Sequence, residues 1–194
     1  MVNVAIFASG NGSNAENIAN YFSHNEDINI SLIISNRSGA YVHERAKQLN
    51  IPSFTFNKSE FASGLSVLKT LKDYNVDFIV LAGFLLKIPE AILSSYPECI
   101  VNIHPALLPK YGGKGMFGDN VHKAVKEGGE LQSGITIHYV NENYDEGNII
   151  FQSSCDVLPT DTPDDIAKKV HALEYEYYPK IIEKTIKNYI SKTS

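Results

Sequence analysis

Asn102 and His104 are two residues whose types and spacing could support chemistry. They lie where an apolar run predicts the end of a buried strand, and strand geometry points side chains two positions apart to the same face. A carboxamide N–H can stabilise negative charge on an oxygen, and an imidazole can take up or release a proton near neutral pH. A lone histidine at a strand end is more often structural, but Pro105 and Pro109 stiffen the exit from this strand. The segment therefore indicates an acid–base or charge-stabilising site.

Asp145 is a third candidate, in the acidic loop formed by residues 141–147. Acidic loops are usually just solvated, and we interpret the two glutamates of this loop in that way. Asp145 differs through its neighbourhood, because Thr136 and His138 alternate along one face of the preceding predicted strand and Gly147 allows a tight return. Composition alone does not single out this carboxylate.

Residues 9–14, Ser-Gly-Asn-Gly-Ser-Asn, join the first predicted strand to the first predicted helix. Glycines allow a sharp turn there, and the free amides at a helix N-terminus favour an anion such as phosphate. An ordinary tight turn explains a lone Gly-x-Gly equally well. A dinucleotide cofactor is disfavoured because residues 35–37, after the second predicted strand, offer no acid for an adenosine ribose, although Arg37 leaves a 2′-phosphate cofactor open.

The elements that must position these residues alternate along the chain. Apolar runs predict strands at residues 2–8, 28–35, 78–82 and 100–103. Apolar residues at spacings of three and four predict helices at residues 15–22, 40–49 and 60–74. This alternation predicts βαβ units and a parallel sheet.

The pattern changes after residue 130, where two longer strands are predicted at residues 134–140 and 148–152. We expect them to extend the sheet, antiparallel at its edge. A last helix begins after Thr162, which offers a hydroxyl N-cap followed by proline and two acids, and Pro179 bends or interrupts it. The predicted fold is therefore α/β: a three-layer, Rossmann-like sheet that is mostly parallel with an antiparallel extension.

Composition excludes several classes of protein. The chain has 194 residues, 43% hydrophobic and 20% charged, which predicts one globular domain. A net charge of −5 argues against a nucleic-acid partner, and the longest apolar stretch, residues 78–86, is too short to span a membrane. The N-terminus lacks signal-peptide features, and Cys99 and Cys155 fit free thiols in a reducing cytoplasm. No ligand set has zinc spacing, so we expect no metal.

Nearly from end to end, the chain resembles the phosphoribosylglycinamide formyltransferase family. The resemblance rests on residues 8–14, 80–84, 102–111, 134–140 and 145–147, together with Glu174 and the pair Tyr178-Pro179. The Asn-x-His-Pro-x-Leu-Leu-Pro block at 102–109 is shared with the wider formyltransferase group, which includes methionyl-tRNA formyltransferase and formyltetrahydrofolate hydrolase. The segment 12–14 narrows the choice, because in the glycinamide-ribonucleotide enzymes it receives the substrate phosphate.

The resemblance implies the formyltransferase fold in one domain over residues 1–194, with the N-terminal half binding the phosphoribosyl substrate and the C-terminal half binding folate. It implies direct transfer of the formyl group of 10-formyltetrahydrofolate, the co-substrate, to the amine of 5′-phosphoribosylglycinamide in de novo purine synthesis. The expected partners are these small molecules, and a homodimer stays open as the assembly state. A formyltetrahydrofolate hydrolase or another formyltransferase of this fold is the alternative; a nucleotide-binding oxidoreductase and a non-catalytic binding module are weaker ones.

The resemblance also implies roles for individual residues. Asn102 stabilises the oxyanion, His104 shares its charge or relays a proton, and Asp145 orients His104 and favours its imidazolium. The residues expected to bind the phosphate and ribose are Gly12, Ser13, Asn14, His171 and Glu174. The residues expected to bind folate are Leu85, Leu86, Lys87, Ile88, Asn102, Val140, Asn141 and Asp145. The chain departs from the family in its glycine-rich segment 112–118 and at Leu86, where an arginine often stands.

Overall fold

A computed structural model describes residues 1–193 as one seven-stranded sheet with helices on both faces. The strands are β1 (Val2–Phe7), β2 (Ile28–Ser35), β3 (Ser53–Thr55), β4 (Phe78–Leu81), β5 (Ile100–His104), β6 (Gln132–Tyr139) and β7 (Ile149–Asp156). The helices are α1 (Ser13–Phe22), α2 (Val42–Gln48), α3 (Lys58–Ser63), α4 (Leu65–Asp73), α5 (Glu90–Ser95), α6 (Asp119–Glu127) and α7 (Pro163–Thr193). Within this described part, none of the helices is suited to crossing a membrane.

The sheet has the order β3-β2-β1-β4-β5-β6-β7. Every pairing from β3 to β5 is parallel, whereas β6 runs antiparallel to both β5 and β7. The predicted fold class, with its antiparallel extension at one edge, is confirmed. Chain order reverses between β1 and β4, and sheets of this kind bind ligands in the crevice outside the carboxyl ends of the strands at such a reversal.

Two apolar clusters lie on the two faces of the sheet because successive strand side chains alternate in direction. Val4 and Ile6 of β1 belong to the cluster formed with α1, α2, α6 and α7. Ala5 and Phe7 belong to the cluster formed with α3, α4 and α5. Helices thus cover both faces of a largely buried sheet, which gives the three predicted layers.

The helix predicted over residues 60–74 is wrong as a single element, because the structure has α3 and α4 there. Gly64 separates them with a φ of 70°, in the left-handed region that favours glycine. Asn57 starts α3 by accepting hydrogen bonds from the backbone N–H groups of Ser59 and Glu60. β3, α5 and α6 were not predicted, and the first two are only three and six residues long.

The last helix begins as predicted and runs as one element to Thr193. The Thr162 hydroxyl accepts from the N–H of Asp165, and the Asp165 carboxylate accepts from the N–H of Thr162. Pro179 lies inside α7 and does not interrupt it, so of the two predicted effects, a bend or an interruption, the interruption is wrong. Tyr178, the preceding residue, is fully buried, and its hydroxyl donates to the carbonyl of Leu81 at the end of β4 over 2.8 Å. Packing of this tyrosine ties α7 to the point where the strand order reverses.

Candidate active site

A cavity of about 890 Å³ opens at the carboxyl ends of β1, β4 and β5. Its wall is formed by the segments that follow these strands, by residues of α3, α6 and α7, and by the loops 113–118 and 144–145. The predicted catalytic and phosphate-site residues that line it are Asn102, His104, Asp145, Gly12, Ser13, Asn14, His171 and Glu174. The fold therefore brings both predicted groups of residues to a single cavity.

The antiparallel pairing of β5 with β6 sets the position of the catalytic candidates. In this register Asn102 lies opposite His138, and His104 lies opposite Thr136. The buried Thr136 hydroxyl donates to the carbonyl of Ala106 over 2.7 Å and accepts from the N–H of Leu108 over 2.9 Å. This hydroxyl fixes the chain just after His104, at the segment that the sequence predicted to be stiff.

The carboxamide of Asn102 is oriented by His138. Nδ1 of His138 lies 2.8 Å from the carbonyl oxygen of Tyr139, and because a carbonyl only accepts, Nδ1 carries a proton. Nε2 lies 3.1 Å from Nδ2 of Asn102, and without a proton it accepts a hydrogen bond from that amide. One N–H of the carboxamide is occupied, which leaves the other to donate to a bound group.

His104 is buried, with Nε2 hydrogen-bonded and Nδ1 facing a carboxylate. Nε2 donates to the carbonyl of Tyr111 over 2.8 Å, and Nδ1 lies 3.5 Å from Oδ2 of Asp145. Burial lowers the pKa of His104 below its ordinary value of 6.5, although Asp145 and the Tyr111 carbonyl act to raise it. Asp145 acts in favour of the imidazolium, but burial outweighs it. Near neutral pH the ring is neutral, and Nδ1 is free to accept a proton.

Asp145 is half-buried and ionised. Burial raises its pKa, but the contact with His138, the nearby His104 and the Gly113 N–H together lower it below its ordinary value. That N–H donates to Oδ2 over 2.9 Å, and Oδ1 lies 3.7 Å from Nε2 of His138. The carboxylate therefore lies between two imidazoles, where it stabilises any positive charge that forms on either ring.

The loop that carries Asp145 turns back sharply. Asp145 itself has a φ of 57°, in the left-handed region that few non-glycine residues adopt. At Gly147 a Cβ atom would lie 1.7 Å from the carbonyl oxygen of Tyr139, so only glycine fits. The tight return inferred from Gly147 is present, and it keeps the carboxylate of Asp145 at the cavity wall.

Gly12 marks the opposite end of the cavity, where α1 begins. Its φ is 76°, and a Cβ atom there would lie 2.4 Å from Cγ2 of Val42. No side chain caps the N-terminus of α1 in the part of the chain that the structure describes. The backbone N–H groups of the first turn are therefore available to an anion in the cavity, and the helix dipole adds to their attraction.

Glu174 connects this end of the cavity to α7. Its Oε2 accepts from Nδ2 of Asn14 and lies within hydrogen-bond distance of Nδ1 of His171, each over 2.9 Å. The shared helix face predicted for His171 and Glu174 is thus a direct contact. Oδ1 of Asn14 is buried and has no hydrogen-bond partner among residues 1–193. Because Asn14 lines the cavity, a donor on a bound molecule can satisfy this acceptor.

The sequence profile of the formyl transferase family matches residues 2–182. The chain belongs to the formyl transferase family. It is 36% identical over 193 residues to the phosphoribosylglycinamide formyltransferase of Bacillus subtilis (strain 168), which covers 96% of this chain and 95% of that protein. The crystal structure of phosphoribosylglycinamide formyltransferase from Bacillus halodurans has a TM-score of 0.86 and 34% identity, covering 94% of both chains.

Plant members of the family are longer than this chain. The chloroplastic phosphoribosylglycinamide formyltransferase of Arabidopsis thaliana is 42% identical over 185 residues, which is 92% of this chain and 63% of that protein. The corresponding protein of Vigna unguiculata is 37% identical, and the match covers 59% of its length. The chain thus spans about three fifths of these two relatives.

The folate residues expected from the family resemblance divide into two sets. Leu85, Leu86 and Lys87 lie in the cavity wall, as do Asn102 and Asp145. The others lie behind it: Ile88 is buried in the cluster with α3–α5, Val140 packs against that cluster, and Asn141 accepts from the N–H of Asn143 within its own loop. These three are not among the residues that line the cavity.

Sequence reasoning missed several residues of the wall. His122 of α6 is 7% exposed, and its Nδ1 has no hydrogen-bond partner within residues 1–193. Phe61 and Phe84 pack together with ring centroids 5.0 Å apart and form an apolar surface. His138, which orients Asn102, was seen only as a neighbour of Asp145. The only sequence feature that pointed to His138 was that it alternates with Thr136 along β6.

No group of three or more histidine, cysteine or acidic side chains suited to a metal ion occurs within residues 1–193. The groups at the catalytic end of the cavity are instead an amide donor, a neutral imidazole and an ionised carboxylate. Such a set can stabilise an oxyanion and move one proton, which is the chemistry that acyl transfer to an amine requires.

Proposed function

We propose that this member of the formyl transferase family transfers the formyl group of 10-formyltetrahydrofolate to the amine of 5′-phosphoribosylglycinamide, in purine synthesis. The observation that carries the proposal is one cavity with Asn102, His104 and Asp145 at one end and the uncapped N-terminus of α1 at the other. Relatives named for this activity, at 36% and 42% identity, support it.

The phosphoribosyl substrate binds at the α1 end. Its phosphate accepts hydrogen bonds from the backbone N–H groups of Gly12, Ser13 and Asn14. The ribose hydroxyls donate to Glu174 and to the unpartnered Oδ1 of Asn14, with His171 beside them. This arrangement directs the glycinamide amine towards Asn102 and His104.

The folate binds along the apolar side of the cavity. Leu85 and Leu86 present apolar surface and backbone groups to the pterin, and the ammonium group of Lys87 attracts the negatively charged end of the molecule. Ile88, Val140 and Asn141 contribute by fixing the backbone behind this wall. The formyl group on N10 then lies beside Asn102 and Asp145.

The chemistry is a direct attack of the neutral amine on the formyl carbon. The C–N bond that forms places negative charge on the formyl oxygen, and the free N–H of Asn102 donates to that oxygen, a contribution of about 10²- to 10³-fold in rate. The attacking nitrogen becomes positively charged and loses its proton to Nδ1 of His104. Asp145, 3.5 Å away, stabilises the imidazolium that results. The C–N10 bond then breaks, and the proton passes to the departing folate nitrogen.

The test is whether loss of the formyl group depends on the amine. The protein is mixed with a 10-formyl-folate analogue, with and without glycinamide ribonucleotide, and deformylation is followed. We expect turnover only with the amine, and much slower turnover with glycinamide that lacks the ribose phosphate. Equal deformylation without any amine would instead support a formyltetrahydrofolate hydrolase, the alternative that uses the same catalytic groups on water.

The same proposal includes the domain organisation, the cellular compartment and the partners of the protein. We propose one catalytic domain over residues 1–194. Its N-terminal half supplies the phosphate-binding segment, but the expected division into halves does not hold for whole sites: His171 and Glu174 of the C-terminal half complete the ribose site, and Leu85, Leu86 and Lys87 of the N-terminal half form part of the folate site. The free thiols of Cys99 and Cys155 support a reducing compartment, which we propose to be the cytoplasm. The net charge of −5 supports small molecules rather than nucleic acid as its partners.

A further inference from the structure

Arg45 of α2 contacts Asn11 and Glu16, on either side of the start of α1. Among the described residues, Arg45 is not one of those that line the cavity. Its Nε donates to the backbone carbonyl of Asn11 over 2.9 Å, and its Nη2 donates to Oδ1 of the same residue over 2.7 Å. Nη1 pairs with the carboxylate of Glu16 in the first turn of α1. One guanidinium thus binds both the loop that enters α1 and the helix itself.

The use of arginine at this position is distinctive. Arg45 is one of only two arginines in the sequence, the other being Arg37, against fifteen lysines. A guanidinium presents several N–H donors in a rigid plane, whereas an ammonium is a single flexible point charge. Arg45 also lies over the ring of Tyr41, with 5.1 Å between Cζ and the ring centroid. The Arg45 side chain is 19% exposed, and its pair with Glu16 is partly buried, whereas its two bonds to Asn11 lie at the exposed side of the loop.

The bond to the Asn11 carbonyl determines where the next amide points. In a trans peptide the C=O and the following N–H point in opposite directions. A carbonyl directed at Arg45 therefore directs the Gly12 N–H away from Arg45, which is not among the lining residues, whereas Gly12 is. The N–H of Val42 holds the preceding carbonyl, that of Gly10, over 3.2 Å. The first turn and the middle of α2 thus hold two successive carbonyls of this loop.

The pair with Glu16 removes an electrostatic conflict. A free carboxylate in the first turn of α1 would repel a phosphate bound at the N-terminus of the same helix. Neutralised by Arg45, Glu16 leaves the positive end of the helix dipole unopposed.

We propose that Arg45 is a positioning residue for the phosphate of the substrate. It fixes the loop 10–12 with its amides directed at the cavity before the substrate binds, and it neutralises Glu16. This inference rests on the proposed function and deepens it, because it assigns phosphate recognition to a residue that does not touch the phosphate.

The first test is Arg45→Lys, which keeps a positive charge beside Glu16 but cannot bind both acceptors of Asn11. We expect KM for glycinamide ribonucleotide to rise about tenfold, with kcat and KM for the formyl-folate within about twofold of the parent. The matched control is Arg37→Lys, an exposed arginine outside the cavity wall, which should leave all three constants unchanged.

A second test separates the hydrogen bonds from the charge. Arg45→Gln should raise KM further than Arg45→Lys, because it also leaves Glu16 unpaired. Adding Glu16→Gln should return KM to the level of Arg45→Lys and not to that of the parent. Full recovery in the double variant would overturn the positioning role of the Asn11 contacts. The double variant leaves no unpaired charge, so it also keeps the proposal testable if Arg45→Lys does not fold.

Binding without catalysis distinguishes the two proposals. Calorimetric titration with ribose 5-phosphate, in the absence of folate, should show weaker affinity in Arg45→Lys by about the factor found for KM. Unchanged affinity and unchanged KM, in a variant whose thermal unfolding matches the parent, would overturn the role of Arg45. A parent protein without amine-dependent formyl transfer would overturn the proposed function, while a loss of ribose 5-phosphate affinity in Arg45→Lys would still support the positioning role.

Discussion

The two ends of the cavity are built in different ways. At the α1 end the ligand-binding groups are backbone amides of one short segment, shaped by Gly12 and held by α2. At the other end they are side chains from β5 and the loop after β6, with β6 itself behind them, aligned by strand register. An anion can thus be recognised by one continuous motif, whereas proton transfer needs side chains that only the folded sheet brings together.

Their electrostatics differ as well. At the α1 end Arg45 pairs with Glu16, so the acidic charge in the first turn of α1 is balanced locally. At the catalytic end burial keeps His104 neutral while Asp145 stays ionised. We therefore expect changes at the first end to alter substrate affinity, and changes at the second end to alter turnover and its dependence on pH.

The largest effect is expected from Asn102→Ala. Loss of the N–H that faces the oxyanion should lower kcat by about 10²- to 10³-fold, with little change in KM for either substrate. Steady-state kinetics with both substrates measure this. Asn143→Ala, in the exposed loop after β6, is the control and should be silent. If the Asn102 variant kept the kcat of the parent, the assignment of turnover to this end of the cavity would be wrong.

Gly12→Ala tests the α1 end of the cavity and should affect KM rather than kcat. The new Cβ would meet Val42 at 2.4 Å in a backbone conformation that alanine rarely adopts, so the loop must shift. KM for glycinamide ribonucleotide should rise at least about tenfold, while kcat at saturation changes little. Gly39→Ala is the control, because a Cβ there meets nothing within 4 Å. A fall in kcat without a change in KM would contradict the assignment of this end to binding.

The pH profile tests the protonation states at the catalytic end. Turnover requires neutral His104, and burial lowers its pKa, so the acid limb of kcat should have its midpoint below pH 6.5. Asp145 acts to raise that pKa. Asp145→Asn should therefore move the limb to still lower pH while reducing the plateau, since the imidazolium loses its partner. A limb that moves to higher pH in this variant would show that the carboxylate acts in another way.

The smallest effect is expected in the scaffold beneath both ends. Tyr178→Phe removes the hydrogen bond to the Leu81 carbonyl and should lower the free energy of unfolding by about 1–2 kcal/mol, measured by chemical denaturation. Both kinetic constants should stay close to those of the parent. Tyr175→Phe, one turn earlier and 38% exposed, is the control for loss of a tyrosine hydroxyl. A change in only one of kcat and KM would contradict this expectation and would mean that the contact affects the function of one end of the cavity.

The fold could be predicted wherever elements are long and regular. β1, β2 and β4, the early helices α1 and α2, and the start of α7 follow directly from apolar spacing and capping. β3 and α5 were missed because three and six residues are too few to display a period. The division of α3 from α4 depends on Gly64, whose left-handed conformation is not visible in a pattern of apolar residues.

In the candidate site too, residues could be predicted from their own segment but contacts between distant segments could not. Gly12 and its neighbours could be interpreted as a turn from their own segment, and Asn102 and His104 could be paired through the period of a strand. Asp145 needed the family resemblance, because a distant contact across the sheet leaves no local pattern. The orienting role of His138 depends on its register opposite Asn102, which cannot be counted from the sequence. His122 reaches the wall only through the packing of α6.

The hydroxyl of Thr136 has a consequence for how the family can vary. It donates to Ala106 and accepts from Leu108 and from the side chain of Gln152, so its single hydrogen and both lone pairs are used. Valine has nearly the same shape but would leave these polar partners without a bond in a buried place. Related chains should therefore tolerate serine at this position far better than valine, although by size alone valine is the closer substitute.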